Sequence, residues 1–300
     1  MKEKDFIEII KNTIGSKYIG DDCACLRDLG IVVTQDSLVE DVHFSRKFAT
    51  PYQLGWKSVA VNISDVCASG AVPAYLTIAL SLPNDIEGAF VKEFYEGANA
   101  AAGEAKIVGG DITGADKIYI SVTAIGKTFG RKISSRSSAK VGQKVVVVGN
   151  HGSSALGLKM LIDGSREENI FIKAHLLPDA KYEFSKNIAE NITEDYAMMD
   201  TSDGLMDAFG NIAFQSGVML DVDFSKIPHD KELENFLNWK DYILWGGEDY
   251  GIVATSSDDF GGTVVGEVKS GNGVRLKYSD KTIFYTKKDI EKHLFKHFKE

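Results

Sequence analysis

The run LGWKSVAVNISDVCASGA, beginning at Leu54, is apolar around almost its whole circumference and yet carries Asp65. Val59, Val61, Ile63 and Val66 leave little room for a wetted face, so the segment reads as a helix packed on most sides. The carboxylate goes in with it. Desolvating an unpaired carboxylate costs several kcal/mol, so a chain that buries one supplies a cation or several donors. A hydrogen bond from the helix cap or a neighbouring serine is the plain alternative.

Around this helix, strand and helix patterns alternate. AYLTIALSLP reads as a strand stopped by Pro83. NDIEGAFVKEFYEGANAAAGEA places Ile86, Phe90, Phe94, Ala98 and Ala101 near one face of a helix capped by Asn84 or Asp85. A short strand KIVGGD and the alternating KIYISVTAIGK follow. The turn-rich, basic stretch GKTFGRKISSRSSAKVGQ then separates this half from KVVVVGNHGSSALGLKMLIDG, a strand entering a helix through small residues. We place a domain boundary there, giving 1–137 and 138–300, in line with about 150 residues per domain. The second half repeats the idiom: MMDTSDGLMDAFGNIAFQSG is a turn opening a helix, and YILWGGEDYGIVATS reads as two strand-like runs joined by GGED. The fold class is mixed α/β.

With 34 basic against 43 acidic residues, a net charge of −9 argues against a phosphate-coating nucleic-acid surface. The N-terminal MKEKDFIEIIKNTIG interleaves charge with apolar residues, and no window approaches the ~18 apolar residues of a membrane span, so a cytoplasmic protein is expected. Cys23, Cys25 and Cys67 show no paired CxxC spacing and read as reduced structural thiols. His293 and His297 lie at helical spacing and read as decoration on a solvated last helix.

The acids collect at turns beside apolar elements: Asp21 and Asp22 in GDDCA, Asp36 in TQD, Asp111 in GGD, Asp200 and Asp203 in DTSDG, Glu248 and Asp249 in GGED. Any one of them alone is a turn or cap residue. If several converge, two carboxylates ~4 Å apart repel by about 4 kcal/mol at an effective dielectric near 20, and convergence requires cations. Oxygen ligands without Cys or His in pattern suit Mg²⁺, which also binds substrate phosphates. The usual nucleotide fingerprints are absent. GSSALGLK, from Gly152, misses the P-loop pattern because Leu158 separates Gly157 from Lys159, and reads instead as a tightly packed glycine turn.

GDDCA, TQDSLVEDVHF, AVNISDVCASGAVPAYLTIALSLP, GGD, SRSSAKVGQKVVVVG, DTSDGL and GGEDY, in that order, resemble the thiamine-monophosphate kinase family. Its superfamily also contains aminoimidazole ribonucleotide synthetase and selenophosphate synthetase. The resemblance implies a two-domain aminoimidazole ribonucleotide synthetase-like fold, a homodimer formed through the N-terminal sheets, and Mg-dependent transfer of the ATP γ-phosphoryl to thiamine monophosphate. Carried over by motif, Asp22, Thr34, Gln35, Asp36, Asp65, Asp111, Asp200 and Asp203 are implied as metal-site residues. Tyr95, Gly110, Asp111, Arg136 and Ser202 are implied beside ATP, and His43, Glu248 and Phe295 at thiamine monophosphate. No covalent nucleophile is implied.

Selenophosphate synthetase fits less well, because Cys23 and Cys25 lie inside the metal motif; aminoimidazole ribonucleotide synthetase shares the acids but matches TQDSLVEDVHF and GGEDY less closely. A non-catalytic calcium or magnesium binder is a reading from another class, and it lacks EF-hand spacing. Glu40 and Asp41 depart from the family pattern, which usually shows a small residue and glycine there; Gln35 replaces its usual threonine. Asp41 reads either as a solvated turn or as added charge near the substrate.

Overall fold

The computed structural model describes residues 3–294. The first half runs α1 (Glu3–Ile14), β1 (Ala24–Leu26), β2 (Ile31–Val39), α2 (Pro51–Ser69), β3 (Val72–Leu82), α3 (Gly88–Ala102), β4 (Lys106–Gly114) and β5 (Tyr119–Lys127). The second runs β6 (Lys144–Val148), α4 (Ser153–Ile162), α5 (Ile170–Leu176), α6 (Tyr182–Asn191), β7 (Met198–Asp200), α7 (Leu205–Ser216), β8 (Met219–Asp223), α8 (Trp239–Trp245), β9 (Ile252–Ser256), β10 (Thr263–Lys269), β11 (Gly273–Lys277), β12 (Thr282–Tyr285) and α9 (Lys287–Glu291). Two sheets result, ordered β1-β2-β5-β3-β4 and β12-β11-β8-β10-β6-β9-β7. Residues 128–143, between them, hold neither helix nor strand. The mixed α/β class expected from the patterning is the class observed.

The apolar run around Asp65 forms α2, starting a turn before Leu54 because Thr50 and Gln53 make a reciprocal capping box and Pro51 occupies the first turn. Its Leu54, Val59 and Val66 share one core with Phe94 and Ala98 of α3, with Ile78 and Val122 of the first sheet, and with Ile188, Tyr196, Met198 and Ile252 from the second half. A second core packs Leu205, Phe209 and Ile212 of α7 against Val222, Val265 and Leu276 of the second sheet.

Four local expectations change. The helix after Pro83 is capped at Glu87, not at Asn84 or Asp85. Ile86 N–H bonds back to Pro83 O, holding 84–86 in a turn, and Asp85 pairs with Arg46 instead. YILW is helical, as α8: Asn238 in the left-handed region starts it, and a short apolar run suits helix or strand equally until its neighbours decide. The KIVGGD strand runs on to Gly114, because β4 stays paired in parallel with β3 as far as Leu82. His293 stacks on Trp245 with centroids 4.2 Å apart, so it is more than surface decoration; His297 lies outside the described residues.

Candidate active site

Asp22, Asp65 and Asp200 each present an oxygen, all within 4.8 Å of one another. Three elements deliver them: the loop before β1, the last third of α2 and the end of β7. Asp65 accepts from Thr34 Oγ1 at 2.6 Å, so its donor comes from β2 and not from a helix cap or neighbouring serine. Asp200 accepts from Ser64 Oγ at 2.7 Å and Ser202 Oγ at 2.9 Å. Arg136, from the linking stretch, donates to both oxygens of Asp22, at 2.8 Å from Nη2 and 3.3 Å from Nε. Burial first, then the neighbouring carboxylates Asp200, Asp36 and Asp22, pushes the Asp65 carboxyl well up. Burial and Asp22 raise Asp200 to about 7. Oxygens so raised are costly to keep together ionised without a cation. The all-oxygen donor set fits Mg²⁺.

Asp36 lies two residues beyond Thr34 on the same face of β2, and its backbone N–H donates to Asn62 Oδ1 at 2.9 Å. Gln35, between them, points the other way and bonds Ser121 and Thr123. There it lines a cavity of about 390 Å³ with Thr77, Ala79, Gly110 and Asp111, on the sheet face away from α2. The residues carried over as metal ligands thus divide between two faces. Asp203 is exposed in the turn after Asp200, and Tyr95 stands on α3 with its ring edge-on to Phe94. Phe295 lies outside the described residues.

The GGEDY segment fans three side chains apart. Glu248 and Tyr250 both sit at positive φ, 65° and 46°, a conformation that is uncommon outside glycine and recurs at functional sites. Glu248 reaches Lys57 Nζ at 3.0 Å and His175 Nδ1 at 3.4 Å. Against the effect of burial, the Lys57 ammonium holds its carboxyl below the ordinary value. Asp249 accepts from Gly152 N–H at 2.6 Å and Ser154 N–H at 2.8 Å, filling the amino end of α4 with an internal carboxylate. That explains why GSSALGLK is no phosphate loop: its helix terminus is taken, and Gly157 lies where a Cβ would meet Phe171 O at 2.0 Å. The buried Tyr250 phenol is pushed up by burial, then by Glu248, Asp36, Asp200 and Asp65. Gly247 allows the loop to lie on Ser202 O, where a Cβ would sit at 2.6 Å.

Lys57, Asn62, His175 and Tyr250 were not singled out from sequence. Asn62 carried a signal, since it shares the apolar run with Asp65 one turn away; Lys57 and His175 carried none, because their partner Glu248 is remote in the chain.

Glu40 and Asp41 do not join the carboxylate cluster. Glu40 is buried and accepts from Arg46 Nε at 2.6 Å and Ile118 N–H at 3.0 Å, tying the end of β2 to the start of β5. Asp41 has φ 63°, the conformation that favours glycine, and pairs with Lys117 at 2.8 Å on the surface. Of its two readings, the solvated turn is the one its geometry supports.

Comparison with known proteins places this arrangement. Residues 20–128 match the AIR synthase related protein, N-terminal domain. The chain is 35% identical to the thiamine-monophosphate kinase of Aquifex aeolicus (strain VF5), with 99% of this chain and 98% of that protein covered. It is 34% identical to the thiamine-monophosphate kinase of Bacillus subtilis (strain 168), covering 80% and 78% respectively. A solved structure described as AaThiL complexed with AMPPCP and TMP superposes with a TM-score of 0.85 at 34% identity, over 95% of this chain and 97% of that one. With its carboxylates and GGED loop embedded in a similarity that runs end to end, the chain belongs to the thiamine-monophosphate kinase family.

Proposed function

We propose that this chain phosphorylates thiamine monophosphate with ATP, giving thiamine diphosphate and ADP, the last step in making thiamine diphosphate. The observation that carries this is the Asp22–Asp65–Asp200 cluster beside Arg136, in a chain aligned over nearly its whole length with thiamine-monophosphate kinases. A phosphate oxygen of thiamine monophosphate forms the new bond to the γ-phosphorus as the β–γ bridging bond breaks, and ADP leaves with that electron pair. Such transfer asks mainly for alignment and charge neutralisation, so no covalent nucleophile is required.

Mg²⁺ is the cation we assign to the cluster: Asp22, Asp65 and Asp200, with Asp36 and Thr34 beside them, would hold it, and when bound it neutralises charge on the phosphates. Gln35, Asp111 and Asp203 are assigned to further metal positions. Arg136, Ser202, Gly110, Asp111 and Tyr95 are assigned to ATP, and His43, Glu248 and Phe295 to thiamine monophosphate. The division at 137/138 is supported by the absence of helix or strand from 128–143. A homodimer through the first sheet is supported by its open polar face and by exposed Val108 and Ile112 on edge strand β4. Among the described residues no helix is long and apolar enough to cross a membrane; a cytoplasmic location is proposed from the kinship.

Incubation with ATP, Mg²⁺ and thiamine monophosphate should yield thiamine diphosphate and ADP in equal amounts. Metal binding without either product would reject the kinase, and a phosphorylated enzyme trapped during turnover would reject direct transfer.

A further inference from the structure

Lys57 lies on α2 with its side chain only 3% exposed. A buried ammonium is costly unless paired, and its ion pair here is with Glu248, 3.0 Å from Nζ, while Nζ makes no hydrogen bond among the described residues. The opposite oxygen of Glu248 faces His175, which is buried, kept neutral by a pKa pushed down to about 3, and 3.1 Å from Ser154 Oγ. The backbone of Glu248 is held as well, by its N–H to Ser202 O at 2.7 Å. Glu248 itself keeps 26% of its side chain exposed. The pair is therefore asymmetric: sealed at the cation and open at the acid. A pair serving only to pack the core has no reason to leave its acid partly exposed, nor to hold it in a left-handed backbone conformation.

We infer that Lys57 is a positioning residue for thiamine monophosphate, orienting and charge-balancing the Glu248 carboxylate that meets the substrate. This rests on the assignment of Glu248 as a thiamine monophosphate contact. Lys57 acts through Glu248 and touches neither ATP nor the reacting oxygens, so its loss is read in one substrate's KM and not in the other's.

The test measures steady-state kinetics of Lys57→Met, Lys57→Arg, Glu248→Gln and the double variant K57M/E248Q. Lys57→Met should raise KM for thiamine monophosphate about tenfold, leave KM for ATP within about twofold and change kcat less than KM. Lys57→Arg, which keeps the charge, should recover most of the loss. The double variant should match Glu248→Gln alone, because Lys57 has nothing left to position. Equal rises in both KM values, or a double variant additive in its two parts, would overturn the inference. Should Lys57→Met fail to fold around its uncompensated carboxylate, the double variant, which carries no such charge, still decides by comparison with Glu248→Gln. If Glu248→Gln itself leaves KM for thiamine monophosphate unchanged, the underlying assignment of Glu248 fails, and the role of Lys57 with it.

Discussion

Asp65 is held where it weakens the metal-free fold. At 4.8 Å two carboxylates repel by about 3 kcal/mol at an effective dielectric near 20, and neither Thr34 nor Ser64 removes that charge. Asp65→Asn keeps an acceptor for Thr34 Oγ1 and removes one charge. It should raise the stability of the metal-free protein by about 1–3 kcal/mol in urea unfolding while lowering kcat at least about 100-fold; lowered stability would mean that Asp65 is a structural acid. Asp41 makes the opposite case. With φ already 63° and its carboxylate paired with the exposed Lys117, Asp41→Gly should leave KM for thiamine monophosphate within about twofold. A larger rise would put Asp41 at the substrate. At this scale the sequence showed that an acid sat in an apolar helix and that two acids broke a family pattern. It could not show that Thr34 was the donor, because that contact joins residues on different elements.

The pairing of α2 with α3 depends on backbones in contact. A Cβ on Gly55 would meet Phe94 O at 1.8 Å, and one on Gly97 would meet Tyr52 O at 1.9 Å. In an exposed helix Gly→Ala adds up to about 1 kcal/mol of stability; here overpacking reverses the sign. Gly55→Ala and Gly97→Ala should each destabilise by about 1–3 kcal/mol, read as a lower urea midpoint with unchanged slope. Because α2 carries Lys57, Asn62, Ser64 and Asp65, activity should fall with stability. Helix α2 was legible from its apolar run, and β5 from alternation. The helical state of YILW was not, since seven residues hold too few turns to reveal a period, and neighbours such as Gly246 N–H bonding to Tyr242 O settle it.

Across the molecule, buried acids and histidines oppose each other in pH. Asp249, raised to about 7, stays protonated in the fold between its unfolded value near 4 and about 7, so its contribution falls as pH rises through that range. Asp65 and Asp200 act in the same direction when no metal is bound. His151 and His175, lowered to about 4 and about 3, stay neutral in the fold while the unfolded chain takes up protons below about 6.5. Their contribution is lost on acidification. Above about pH 5.5, where the acids held below their usual range are ionised in folded and unfolded chain alike, three acids against two histidines predict that metal-free protein loses stability up to pH 6.5. Saturating Mg²⁺ keeps Asp65 and Asp200 ionised, leaving Asp249 against the two histidines, and the slope should reverse. Each unbalanced proton is worth about 1.4 kcal/mol per pH unit. Urea midpoints at three pH values with and without Mg²⁺ check this; the same slope in both would show that the cluster does not bind the ion. By itself the sequence determined most element types, the mixed class and the family, because periodicity and motif chemistry are local properties of the chain. Only the tertiary structure decided which acids meet. Asp22, Asp65 and Asp200 converge where loop, helix and strand pack together, while Gln35 and Asp111 fall on the far face of the first sheet, because strand side chains alternate and one residue of register sends neighbours to opposite sides.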